Sequence, residues 1–166
     1  MKKTVLLFLL SFFYLNVSAQ LQRHFFGQEL GKTTKSEALK SLESKGAYLT
    51  NIGGNEVLYL SDVRFGGFSW NFVIMSFYND VFSKILFSDG RESYANDEER
   101  EDKWLKLTMK FKEKYSIYLK RDEFEEKSFI DSMTFVAMHI GQNSISLGYS
   151  DLKLEKERFA KEEDEL

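Results

Sequence analysis

Few side chains in this sequence could carry acid–base or metal chemistry. His24 and His139 are the only histidines, and no HExxH spacing brings metal ligands onto one helix face. The absence of cysteine excludes disulfides, thiolate catalysis and cysteine-ligated zinc or iron–sulfur clusters. The sequence therefore predicts no metal site and no cofactor.

Short motifs that resemble catalytic signatures are incomplete. The run Gly67-Phe68-Ser69-Trp70-Asn71 begins like a nucleophile elbow but lacks the closing glycine. Ser150 and Lys153 have the Ser-x-x-Lys spacing without the companion β-lactamase motifs. A pair of carboxylates acting on a glycoside stays open, because two acids can meet from anywhere in the chain. The sequence favours a non-catalytic role.

The first 19 residues have the pattern of a secretory signal. Met1-Lys2-Lys3 is a positive segment, Val5 to Leu15 is apolar, and Val17-Ser18-Ala19 ends in small residues. The apolar run is shorter than the roughly 20 residues that a membrane-spanning helix needs. We predict cleavage after Ala19, a mature chain starting at Gln20, no membrane span, and a location in the periplasm or outside the cell.

Composition predicts one globular domain. The chain has 166 residues, of which 43% are hydrophobic and 16% aromatic, enough for a substantial core. Its 23 basic and 26 acidic residues give a formal charge of −3, which argues against nucleic-acid binding. We predict a single domain over residues 20–151 and a charged, frayed tail over residues 152–166, where Phe159 could instead pin a short helix.

Periodicity predicts two main helices. Thr34 and Glu37 form a capping box before a helix over Lys35–Lys45, and Gly46 ends it. A second helix starts among the acidic residues near Asp97 and ends among lysines, in agreement with the helix dipole. Its apolar stripe consists of Trp104, Thr108, Phe111 and Tyr115.

The remaining apolar runs predict strands. Residues 57–88 contain three runs separated by Gly66-Gly67 and Asn79-Asp80, which favour two-residue hairpin loops. A second hairpin is expected around Gly141-Gln142-Asn143, after a polar loop near residues 120–127. The predicted fold class is α+β, with an antiparallel sheet of about five strands and two main helices packed on one face.

The hairpin loops predict which side chains share a face of the sheet. Phe65 is expected opposite Phe68, and Tyr78 opposite Val81. The face toward the helices then includes Tyr59, Trp70, Phe72, Ile74, Ile85 and Phe87. The opposite face then has an apolar centre with a charged rim, which is typical of a contact surface. We predict a partner-binding patch there, unless the C-terminal hairpin or the tail covers it; it comprises Leu58, Leu60, Met75, Phe77, Arg64 and Lys84.

The stretch from Phe26 to Glu37, the following helix and the Ser76-Phe77-Tyr78-Asn79-Asp80-Val81 turn resemble known proteins. They are similar to small uncharacterised secreted proteins of Gram-negative bacteria and, more distantly, to the β-lactamase-inhibitor-like modules also found in the SmpA/OmlA lipoproteins. The resemblance implies an antiparallel sheet with helices on one face and a role in protein binding.

Two functions follow from the sequence. The first is a non-catalytic secreted or periplasmic module that binds another protein in the cell envelope or outside the cell. The alternative is a small-molecule or glycan binder or hydrolase with an aromatic-lined pocket, in which Trp70 would serve as a stacking platform.

Overall fold

A computed structural model describes residues 20–90, 94, 96–116, 119–122, 126–142 and 144–164. The predicted signal over residues 1–19 and the turn residue Asn143 lie outside the described residues. The described chain is an α+β fold built on one antiparallel sheet of eight strands. The α+β class and the antiparallel sheet are confirmed, but the expected five strands and two helices are too few.

The chain starts with a small two-stranded unit and a short helix. Strands β1 (His24–Phe25) and β2 (Gln28–Glu29) pair with each other, and helix α1 spans Lys35–Leu42. The predicted capping box between Thr34 and Glu37 is confirmed. A single 3-10 turn over Glu43–Lys45 follows and ends at Gly46, whose φ of 83° suits glycine.

The main sheet contains two groups of strands separated by a long helix. Strands β3 (Tyr48–Ile52), β4 (Asn55–Phe65), β5 (Phe68–Tyr78) and β6 (Val81–Asp89) form a meander. Helix α2 (Asp97–Tyr115) follows, and then come β7 (Leu119–Asp122), β8 (Glu126–Ile130), β9 (Thr134–Ile140) and β10 (Ile145–Asp151). The strand order is β3-β4-β5-β6-β10-β9-β8-β7, so the last strand pairs with β6 in the middle and β3 and β7 form the two edges.

Three regions differ from the predicted elements. Within the polar region near residues 120–127, residues 120–122 belong to β7 and residues 126 and 127 to β8, while residues 123–125 lie outside the described residues. Residues 48–52 form an extra strand before Gly53-Gly54. The predicted frayed tail is wrong, since helix α3 spans Leu152–Asp164.

The core lies between the sheet and helices α1 and α2. The stripe predicted for α2 is buried as expected, together with Leu107. Phe111 packs against Phe129 with ring centroids 5.8 Å apart and against Tyr149 at 6.3 Å. Ala38 and Leu42 of α1 belong to the same cluster. The face of the sheet toward α1 and α2 is called the inner face below, and the opposite face is the outer face.

The N-terminal unit packs on the core through the ring of Phe25 and through a largely buried ion pair between Arg23 and Asp151. Phe25 is 1% exposed, and its ring centroid lies 4.7 Å from that of Tyr149. Arg23 binds Asp151 at the end of β10 with an N–O distance of 2.5 Å. Gly31 lies beside this pair, and a Cβ there would collide with the Asp151 carboxylate. Only glycine fits at that position without displacing the pair.

Candidate functional site

The structure separates the six residues of the predicted partner patch. Leu58, Leu60 and Met75 are at most 4% exposed and belong to the core, while Phe77 is partly buried against it. Arg64 is exposed near the tip of the β4–β5 hairpin, and Lys84 is exposed on the outer face. The prediction that these residues share a solvent-facing patch is therefore wrong.

One reason for the error is a bulge in β6. The loops at Gly66-Gly67 and Asn79-Asp80 are as predicted, with Phe65 opposite Phe68 and Tyr78 opposite Val81. The register shifts by one residue beyond Phe77, so Met75 pairs with Ile85 and not with the residue before it. Ile85 and Phe87 are in the core as expected, but the bulge brings Val73 and Met75 onto their face in place of Phe72 and Ile74.

A second reason is a change of face within the β4–β5 hairpin. Asp62 has a left-handed φ of 51°, although the pairs on either side keep one register: Ser61 with Phe72 and Val63 with Trp70. Trp70 is 1% exposed and lies on the core side, as predicted, where it packs on Phe87. Phe72, in contrast, stacks on Tyr59 away from the core. Near the tip of the hairpin, Trp70 thus faces the core. Nearer the base, Phe72 and Ile74 face outward, although regular alternation would place all three on one face.

Apolar side chains consequently line the outer face. Strand pairing places Tyr48, Tyr59, Ile74 and Leu86 in one row across four strands. The ring of Tyr59 lies 5.3 Å from that of Tyr48 and 6.0 Å from that of Phe72, nearly parallel to the latter. Tyr48 is 53% exposed, and the other four are partly buried. These five residues, Tyr48, Tyr59, Phe72, Ile74 and Leu86, are called the outer row.

Helix α3 borders the outer row on one side. The Tyr78 hydroxyl lies within 3.5 Å of the Glu157 carbonyl oxygen, and Glu155 and Arg158 form an ion pair of 2.9 Å. A groove of about 220 Å³ separates the helix from the strands. Its floor includes Ile52, Val57 and Ile74, and its sides carry Lys84, Glu155 and Arg158. The groove can take an apolar side chain between charges of both signs.

A larger cleft lies at the other end of the meander, between the hairpin tip and the first half of α2. Its volume is about 770 Å³. Asp62 and Arg64 lie on the strand side, and Asp102 and Lys106 on the helix side form an ion pair of 2.6 Å. Carboxylates and cations therefore line both sides of this cleft.

A closed network occupies the base of the cleft. The Asp89 carboxylate is 2% exposed and accepts hydrogen bonds from the Asn71 backbone at 2.9 Å, from the Tyr94 hydroxyl at 2.6 Å, and from the Lys103 ammonium group. Partial burial and the Asp89 carboxylate raise the pKa of Tyr94 far above its usual value. Tyr94 therefore stays protonated and cannot act as a base near neutral pH. The network joins β5, β6 and α2, which is a structural role.

Trp70 lacks the free face that a sugar platform requires. Its side chain is almost fully buried, its indole N–H donates to the Phe65 carbonyl at 3.2 Å, and the Lys103 ammonium lies 4.3 Å from its ring centroid. Lys103 thus binds Asp89 and covers the indole at the same time. The predicted stacking role of Trp70 has no support in this geometry.

The two histidines lie apart. His24 is on β1 with its Nε2 3.5 Å from a Glu29 carboxylate oxygen, and His139 is an exposed residue of β9. Within the part of the chain that the structure describes, no group of three histidine, cysteine, aspartate or glutamate side chains could hold a metal ion.

Comparison with known proteins gives no relatives. No family model, no curated protein and no solved structure matches the chain. The likeness of the helix entry and the meander to secreted and β-lactamase-inhibitor-like modules thus stays a prediction. Among the described residues, none of the helices has the length and apolar character needed to cross a bilayer.

Sequence reasoning missed the outer row because it placed three of its members, Tyr59, Phe72 and Ile74, on the helix side. One signal was present: Tyr48-Leu49-Thr50-Asn51-Ile52 is rich in aromatic and β-branched residues and precedes a glycine pair, which is the pattern of a strand entering a hairpin. Adding that strand at the edge would have placed Tyr48 and Tyr59 side by side. The bulge and the left-handed Asp62 have no comparable signal.

Proposed function

We propose that this protein is a non-catalytic binding module that engages another protein through the outer row, in the periplasm or outside the cell. The observation that carries the proposal is a continuous apolar row, rich in aromatic rings, on a face that helices α1 and α2 do not cover. Protein interfaces are enriched in such aromatic residues and surround them with polar ones.

The surroundings of the outer row fit this role. Lys84 is exposed on the outer face, where it lies opposite Ser76 of β5. The groove beside α3 supplies a recess for one apolar anchor of the partner, flanked by Lys84 and Glu155. A partner with an aromatic or aliphatic anchor inside a ring of mixed charges would match this surface.

A photocrosslinking experiment in the producing cell tests the proposal. A photoreactive phenylalanine analogue replaces Phe72 in one variant and Met109 in a control, since Met109 is 63% exposed on α2 and distant from the outer row in the fold. We expect one discrete protein adduct from position 72 and none of that mass from position 109. Mass spectrometry identifies the partner.

The identified partner then allows a quantitative test. Phe72→Ser should weaken its binding at least tenfold, because the ring that stacks on Tyr59 is lost, and Met109→Ser should leave it unchanged. Equal affinities for Phe72→Ser and the unmodified protein, or identical adducts from both positions, would contradict the proposal.

A small polar ligand in the cleft is the second candidate. Its volume of about 770 Å³ and the exposed charges of Asp62 and Arg64 favour it. This function would be supported in place of the first if Arg64→Ala abolished binding of a small molecule from the native environment while Phe72→Ser had no effect on any interaction.

A further inference from the structure

The two edges of the main sheet differ in their residue types. Strand β7 at one edge includes Lys120, Arg121 and Asp122 in its sequence, as is usual for edges that must not pair with other chains. Strand β3 at the other edge, Tyr48–Ile52, contains no charged residue, and the whole chain contains no proline. Among the described residues, no strand pairs with the free edge of β3.

Strand β3 also lacks the irregularities that protect an edge. Its five residues pair with β4 in one unbroken register, from Tyr48 opposite Tyr59 to Ile52 opposite Asn55. Tyr48 and Ile52 are 53% and 44% exposed, and both side chains lie on the outer face because they are an even number of residues apart. A regular, uncharged edge with large exposed apolar side chains readily pairs with another strand.

The sequence of β3 is suited to pairing with itself. A two-fold axis through Thr50 would set two copies of the strand antiparallel, with Tyr48 of each copy opposite Ile52 of the other and Leu49 opposite Asn51. Each exposed apolar side chain then meets an apolar partner. In a contact around a two-fold axis, a charged residue of one copy can lie close to the same residue of the other copy and repel it. Strand β3 carries no charged residue, so this repulsion does not arise.

We propose that β3 pairs with β3 of a second copy of this chain, so that two eight-stranded sheets join into one continuous antiparallel sheet. The contact is isologous, uses backbone hydrogen bonds for affinity and uses the Tyr48–Ile52 pairs for register. The two outer rows become adjacent in the dimer. The inference depends only on the edge strand, not on the protein partner proposed above.

A five-residue strand buries less area than a standard protein interface, so the dimer should be concentration-dependent. We expect sedimentation velocity and light scattering of the purified protein to show mainly monomer near ~1 µM and mainly dimer near ~500 µM, for a dissociation constant on the order of tens of micromolar. A monomer at every concentration up to ~500 µM would overturn the proposal.

Paired charges test the register itself. In one variant, Tyr48→Lys and Ile52→Lys place two positive charges opposite each other at both ends of the proposed contact, and the dimer should be lost. In a second variant, Tyr48→Glu and Ile52→Lys place opposite charges together, and dimerisation should return and weaken with added salt. Within one copy the two positions are roughly 13 Å apart along the strand, so the charges act mainly between copies.

A matched control has two exposed apolar residues on another element. Leu105→Lys with Met109→Lys adds the same charges to helix α2, where the side chains are 58% and 63% exposed. This variant should dimerise like the unmodified protein. If it lost the dimer as fully as the variant with two lysines on β3, or if both β3 variants behaved alike, the contact would not be the β3 pair.

Discussion

The inner and outer faces of strand β5 carry similar amounts of apolar surface but have different neighbours. Val73 and Met75 on the inner face are fully buried among residues of β4, β6 and the helices. Phe72 and Ile74 on the outer face are half-buried, with Phe72 stacked on Tyr59. The apolar residues along this strand therefore do not show which of its two faces belongs to the core. The helices, not the strand, decide which face becomes core.

The largest expected difference between the two faces comes from a buried charge. Met75→Asp places a carboxylate where the side chain is fully buried, and we expect loss of the cooperative thermal transition, since such a change costs more than about 4 kcal/mol. Ile74→Asp, one residue along the strand, lets the carboxylate reach solvent and should cost about 1–2 kcal/mol. Circular dichroism during heating measures both.

This pair of variants distinguishes the two assignments of the faces. The assignment made from the hairpin loops alone predicts the reverse order, with Ile74→Asp unfolding the protein and Met75→Asp tolerated. Equal destabilisation by both would mean that the outer face is also covered, and the outer row could not serve as a binding surface.

The same comparison explains how far sequence reasoning reaches in this protein. The capping box at Thr34, the buried stripe of α2 and both two-residue loops were predictable, because each depends on residues close together in the chain. The identity of the inner face was not predictable. One extra residue in β6 shifts its register with β5 by one residue, and this shift brings the other set of β5 side chains onto the face of Ile85 and Phe87.

Strand number was underestimated for a related reason. Strand β7 includes three charged residues in its sequence and is typical of a loop, and only its pairing with β8 makes it a strand. Helix α3 is rich in charge and has no fully buried residue, yet its first turn is fixed by Asp151, whose carboxylate accepts hydrogen bonds from the backbone of Lys153 and Leu154. In the sequence, Asp151 is only the last residue of the predicted domain, and nothing nearby marks it as a helix cap.

A second pair of variants probes the hairpin tip, where the faces change. Trp70 and Phe72 are two residues apart and would share a face in a regular strand, but only Trp70 is in the core. We expect Trp70→Ala to lower the free energy of unfolding by about 3–5 kcal/mol, because it leaves a cavity. Phe72→Ala should lower it by less than about 1.5 kcal/mol, since the ring stacks on Tyr59 at a partly exposed position outside the core.

Chemical denaturation with guanidinium chloride measures this difference through the midpoint and slope of each transition. Similar losses for the two variants would indicate that Phe72 is in the core and that the hairpin alternates regularly up to its tip. A large loss for Phe72→Ala alone would reverse the assignment of both residues.

The smallest expected effect concerns Asp62 itself, the residue at which the faces change. Its φ of 51° is left-handed, a conformation that aspartate tolerates better than a β-branched residue does. Asp62→Val should therefore lower the free energy of unfolding by about 1–2 kcal/mol, whereas Asp62→Gly should leave it nearly unchanged, because relief of the left-handed strain offsets the flexibility of glycine in the unfolded chain.

The neighbouring Ser61→Val is the matched control, since Ser61 is also exposed and lies outside the left-handed region. Valine suits strands there and should cost nothing measurable. If Asp62→Val proved as stable as Ser61→Val in the same denaturant series, the left-handed residue would not be what turns the hairpin tip toward the core, and the change of face would have to arise from the packing of Trp70 on Phe87.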